Sequence, residues 1–126
     1  MSSDSVEVRA AAAGARAKIL HEDPEAGNPD ALVQALQDPA SDVRSEAASA
    51  LGNLSYKPAV VPLIGLLQHP EAPTRKAAAL SLMKIGDASA IEPLKAAAEQ
   101  ETDVVIKPIY TLAINQLNRP ADDDWD

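Results

Sequence analysis

Apolar residues in the middle of the chain recur at helical spacing. Ala47, Leu51 and Leu54 lie four and three residues apart, as do Ala78, Leu82 and Ile85, so each set lines one face of a helix. The two sets are one pattern written twice. DVRSEAASALGNL, residues 42–54, aligns with PTRKAAALSLMKI, residues 73–85, at an offset of thirty-one: Arg44 over Arg75, Ala47-Ala48 over Ala78-Ala79, Leu51 over Leu82, Leu54 over Ile85. The rest of the unit repeats at the same offset. Gln37-Asp38-Pro39 returns as Gln68-His69-Pro70, Ala59, Val60, Pro62 and Leu63 return as Ala90, Ile91, Pro93 and Leu94, and Leu32 and Leu36 anticipate Leu63 and Leu67. A fixed period of this length marks stacked two-helix units, each too poor in apolar surface to bury its own face alone.

Helix punctuation falls between the periodic segments. Asn28-Pro29 and Lys57-Pro58 place proline where a helix start tolerates its missing N–H, and Gly86-Asp87 supplies a helix end followed by a cap. The pattern predicts seven helices, over 4–20, 29–37, 41–54, 58–68, 72–85, 88–99 and 103–117. Pro62, Pro93 and Pro108 predict kinks or late starts in the first turns of their helices. The fold expected is all-α: a right-handed α-solenoid of about three to four helical hairpins. Residues 1–117 form a single repeat domain, with units near 4–20 (partial), 29–54, 58–85 and 88–117, and residues 118–126 form an acidic tail.

Composition agrees with thin helical layers, since the chain of 126 residues has no Phe, one Trp and two Tyr, leaving Ala, Leu, Ile and Val to build the core. Eleven Lys and Arg against nineteen Asp and Glu give a net charge of −8. That balance argues against a nucleic-acid footprint or an anionic membrane surface. With no cysteine, thiol chemistry and thiolate metal sites are excluded. MSSDSVEVR does not read as a secretory leader and no run of about eighteen apolar residues occurs, so a cytoplasmic protein is expected.

The pattern Asp42-Val43-Arg44-x-x-Ala47-Ala48-x-Ala50-Leu51-Gly52-x-Leu54, followed by Ala59-Val60-x-Pro62-Leu63-Ile64, resembles the HEAT-like repeats of the phycobilin lyase type over about residues 29–99. The resemblance implies the solenoid fold and two functional classes: protein-binding scaffolds, and lyases or accessory factors acting on phycobiliproteins. Deoxyhypusine hydroxylase is built from similar repeats and holds iron through His-Glu pairs that follow Val-Arg. Here those places carry Ser45-Glu46, Lys76-Ala77 and Lys107-Pro108, which offer no imidazole. No metal, cofactor or catalytic residue is therefore expected, and the chain reads as a non-enzyme.

Other candidates for chemistry have structural readings. His21-Glu22 lies in the loop HEDPEAGNP with no second histidine to complete a site, and ADDDWD at the end reads as a solvated run. His69 falls at a helix C-terminus, where a partly protonated imidazole suits the dipole. Arg44 and Arg75 are expected to stack between layers and bond the Asp or the carbonyls of the adjacent turn.

With the Ala and Leu columns buried, the opposite helix face carries Ser45, Glu46, Ser49 and Asn53, then Lys76, Leu80 and Lys84, then Lys107, Thr111 and Asn115. These columns are expected to line the concave surface. Lys76, Lys84 and Lys107 would form a positive strip, against the acidity of the whole chain, that suits an acidic protein partner. A second surface is expected at the last helix, where Ile106, Ile114 and Leu117 stand at positions facing a further repeat. The tail with Trp125, a second copy of the chain or a partner would cover it. The function expected is a non-catalytic scaffold or adaptor binding a protein on its concave face. The alternative is an accessory or lyase-like factor in phycobilin attachment or phycobilisome turnover.

Overall fold

A computed structural model describes residues 10–11 and 29–119 of the chain. Six α-helices follow one another among the described residues: α1 Asp30–Ala35, α2 Ser41–Asn53, α3 Val60–Leu66, α4 Ala72–Ile85, α5 Ile91–Gln100 and α6 Lys107–Leu117. Short 3-10 turns, Lys57–Ala59 and Ala88–Ala90, lead into α3 and α5. The described residues contain no strand. All but Ala10 and Ala11 of the expected first helix, the His21-Glu22 loop, and residues 120–126 with Trp125 lie outside the described residues.

The helices pair as hairpins, α1 with α2, α3 with α4 and α5 with α6. The second members, α2, α4 and α6, pack on one another in order and form the inner layer that joins the units. This is the α-solenoid that the period of thirty-one calls for, made of three hairpins within the described residues.

The prolines set the helix starts as expected. Pro62 and Pro93 occupy the third position of α3 and α5, after a 3-10 turn has brought the chain round, and Pro108 is the second residue of α6. The last helix begins later than the pattern suggests, at Lys107 rather than 103. Asp103 holds the preceding segment as a turn, its Oδ1 accepting from the Val105 N–H at 2.8 Å and its carbonyl from the Ile106 and Lys107 N–H groups. Asp87 caps the turn before α5 in the same way, its Oδ1 accepting from the Ser89 N–H at 2.9 Å.

Burial follows the repeated columns. Leu32, Leu36, Leu51, Leu63, Leu82 and Leu94, with the alanine pairs Ala47-Ala48 and Ala78-Ala79, form one continuous core, and Tyr110 closes it from α6. Small residues let the inner helices approach closely. A Cβ on Gly52 of α2 would lie 2.9 Å from Ser81 Oγ and 3.0 Å from Ser81 Cα of α4. The Ser81 hydroxyl fills the space above Gly52 and is buried without a hydrogen-bond partner.

Two stability predictions follow from these backbone features. Gly52→Ala should destabilise the domain by roughly 1–3 kcal/mol in urea unfolding, because the added methyl meets the backbone of α4, although alanine is by about 1 kcal/mol the better helix former. An unchanged or raised midpoint would show that the two helices do not make this close approach. Ser55, with φ +52°, holds after α2 the left-handed position that Gly86, at φ +79°, holds after α4. Ser55→Gly should therefore stabilise by about 1 kcal/mol, read as a higher melting temperature in circular dichroism.

Candidate functional site: the inner helix face

Two arginines fix the spacing of the units that build this face. Arg44, in the first turns of α2, is 4% exposed. Its Nη1 donates to the Asp38 carbonyl at 2.7 Å, its Nε to Thr74 Oγ1 at 3.1 Å and its Nη2 to the Glu71 carboxylate. Arg75, one period later in α4, donates from Nη1 to the carbonyls of His69 and Pro70. Its Nε and Nη2 form a bidentate pair with Glu101, each at 2.9 Å. Each arginine thus ties the turn six residues behind it to an acid in the turn that precedes the next inner helix. The carbonyl contact is the one expected from sequence; the carboxylate partners are not.

Glu101 is the buried member of this set, 8% exposed, and all its lone pairs face donors. Besides Arg75, it accepts from the Tyr110 hydroxyl at 3.0 Å and the Asp103 N–H at 3.0 Å. The Arg75 guanidinium, more than these two donors, outweighs burial and lowers its pKa to about 2. Burial first, and the adjacent carboxylate second, raise Tyr110. Self-comparison could not find these acids because the register slips by one: the period mate of Glu71 is Thr102, while the acid that Arg75 uses is Glu101.

His69 has a local structural role, through a partner in the turn that follows it. Its Nδ1 accepts from the Glu71 N–H at 3.1 Å, as Asp38 Oδ1 accepts from the Ala40 N–H at 2.9 Å one unit earlier. Both side chains thus act as turn caps, each accepting from a backbone N–H two residues on.

Between α2 and α4 the inner face opens into a groove of about 300 Å³ lined by Ser45, Ser49, Pro73, Lys76, Ala77, Leu80, Ser81 and Lys84. Five of the expected contact residues, Ser45, Ser49, Lys76, Leu80 and Lys84, are brought together here. Asn53 stands at one end, its Oδ1 accepting from Lys84 Nζ at 2.9 Å. Glu46 is exposed on α2 but outside the lining, and Lys107, Thr111 and Asn115 are exposed on α6 without lining the groove. The groove therefore holds two lysines, not three. Its other members are aliphatic side chains and hydroxyls, groups suited to holding a ligand. Among the described residues, no cluster of three His, Asp or Glu side chains could hold a metal ion.

The edge surface expected at the last helix is also corrected. Ile106 is 2% exposed and belongs to the core. Because α6 starts only at Lys107, Ile106 sits in the turn beneath it instead of on an outward helix face. Ile114 and Leu117 are half-buried against the core. The apolar side chains open to solvent at this end are Val104, Val105 and Leu112.

Stacked helical hairpins joined by an inner layer, with an open groove on that layer, define a helical-repeat protein of the solenoid class. Residues 28–113 match the family model for HEAT repeats, and the chain belongs to the HEAT-repeat family. It is similar to the bilin biosynthesis protein MpeU of Synechococcus sp. (strain WH8020), 35% identical over 118 residues, which cover 93% of this chain and 40% of that protein. The chain thus spans about two fifths of that relative's length. Both findings support the phycobilin-lyase type of HEAT-like repeat seen in DVRSEAASALGNL. No helix among the described residues is long and apolar enough to cross a membrane.

The clamp around Glu101 gives stability a defined acid limb. A carboxyl whose folded pKa is lowered contributes stability that is complete above its unfolded value and fades as pH falls through the folded one. The window here runs from about pH 4.5 down to about 2. Glu101→Gln should cost roughly 2–3 kcal/mol at pH 7 and flatten urea-unfolding stability across that window. A variant with the wild-type acid limb would show that Glu101 is not held by Arg75.

Proposed function

We propose that this chain is a non-catalytic binding module that docks a protein partner on its inner helix face, at the groove between α2 and α4. The observation that carries the reading is the groove itself, an aliphatic floor with Lys76 and Lys84 toward its two ends, on a chain whose net charge is −8. A local positive site on an acidic molecule selects an acidic surface and repels less specific contacts. Stacked helices clamped by Arg44 and Arg75 hold the lining in place beforehand, so little ordering entropy is lost on docking.

The biological setting we infer is bilin biosynthesis, on the strength of the 35% identity to MpeU across 93% of the chain. In that setting the partner is a phycobiliprotein subunit, held for or during attachment of its bilin by other machinery. A lyase-like activity of the chain itself is the second reading, favoured by the same relative.

Purified apo-phycobiliprotein subunits, titrated into the chain by calorimetry, test both. A complex is expected with at least one subunit. Charge reversal at Lys76 and Lys84 should weaken it by about tenfold or more, while Lys107→Glu, outside the groove, should have a smaller effect. Absence of any complex at low salt would overturn the docking proposal. If adding the chain to subunit and free bilin yields denaturation-resistant bilin absorbance on the subunit, the chain is catalytic and the second reading replaces the first.

A further inference from the structure

Three of the four large apolar side chains that the described residues leave open to solvent lie at the last hairpin: Val104, Val105 and Leu112, 84%, 63% and 48% exposed. They belong to one stripe. The Asp103 carbonyl accepts from the Lys107 N–H, so the turn before α6 runs in helical register with it. Val104, Pro108 and Leu112 then follow at four-residue steps, Val105 lies seven residues before Leu112, and Asn115 stands one turn beyond it. All five are exposed, and none lines the groove between α2 and α4. The charge of this stretch departs from that of the chain. From Val104 to Asn118 there is no Asp or Glu, although the chain has nineteen, and the cations stand at the ends of the helix, Lys107 as its first residue and Arg119 just past its last turn.

We propose that this stripe is the contact of a homodimer, in which α6 pairs antiparallel with α6 of a second copy about a two-fold axis at Leu112. Copies of a chain with net charge −8 repel one another wherever carboxylates face carboxylates, so the surface on which they meet has to be free of acids. A neutral or basic partner sets no such condition, and an acidic one is drawn to clustered lysines, where this stripe has one at its flank. A two-fold contact also requires the surface to fit itself. Leu112 is the middle residue of α6 and meets its own copy, which sets Pro108 beside Gln116, Lys107 beside Leu117 and Val105 beside Arg119. No like charges are opposed, whereas parallel pairing would set Lys107 against Lys107. The amides of Asn115 and Gln116 each donate and accept, so neither needs a partner of different chemistry. A single helix about 16 Å long and about 10 Å across offers less than the roughly 800 Å² per partner of a standard interface, and the dimer is accordingly weak, with a dissociation constant of about 10–100 μM. The other occupant within reach in sequence, residues 120–126, would bring four Asp to the stripe with one Trp.

Sedimentation of the full chain between about 5 μM and about 1 mM tests this, and should show a passage from monomer to dimer across that range. Leu112→Lys and Leu112→Glu should each weaken the dimer by about tenfold or more, because the new side chain meets its own charge across the axis. Mixing the two variants should restore association, since opposite charges then face each other. That restoration cannot come from misfolding. A chain that stays monomeric throughout overturns the proposal, and if removal of residues 120–126 then lets it dimerise, the tail is what covers the stripe. Dimers that both variants leave intact, or a mixture no more associated than its two components, overturn it as well and put the contact elsewhere.

Discussion

Everything on the inner face depends on how the hairpins are held at fixed offset, and that is the work of the arginine clamps. A two-helix unit of alanine and leucine has no core of its own, so its position is set by contacts with the next unit. Arg75 makes the connection most completely: backbone carbonyls of its own hairpin turn on one side, both oxygens of buried Glu101 on the other, and Tyr110 from the last helix closing the set. Arg44 does the same for the preceding junction with Glu71 and Thr74, although there the acid is half-exposed and the attachment correspondingly weaker. The close approach at Gly52 and Ser81 is the packing counterpart of these polar ties.

Much of this was legible in the sequence because repetition makes periodicity readable twice. The buried columns, the hairpin order and the late helix starts at Pro62 and Pro93 all follow from spacing and proline chemistry alone. The columns of α2 and α4 opposite the core were legible for the same reason: once one face of a helix is assigned to the core, rotation by about 100° per residue assigns the other.

The failures share a cause, which is that partners far apart in sequence or set by a local turn leave no period. Glu71 and Glu101 lie 27 and 26 residues beyond their arginines and out of register with each other, so alignment of the units passes over them. Ile106 was misplaced because Asp103 delays the start of the last helix and turns that residue inward. The same delay accompanies the separation of Lys107 from the groove.

The proposed docking face presents lysines and aliphatic side chains that the clamps keep in register, and the functional reading stands or falls on whether that face is the one a partner covers. Hydrogen-exchange protection of the chain in complex with an apo-phycobiliprotein subunit measures this directly. The account predicts added protection along α2 and α4 around Ser45, Ser49 and Leu80, with α3 and α5 unchanged. Protection confined to α3 and α5, or to the exposed Val104–Val105 end, would contradict it.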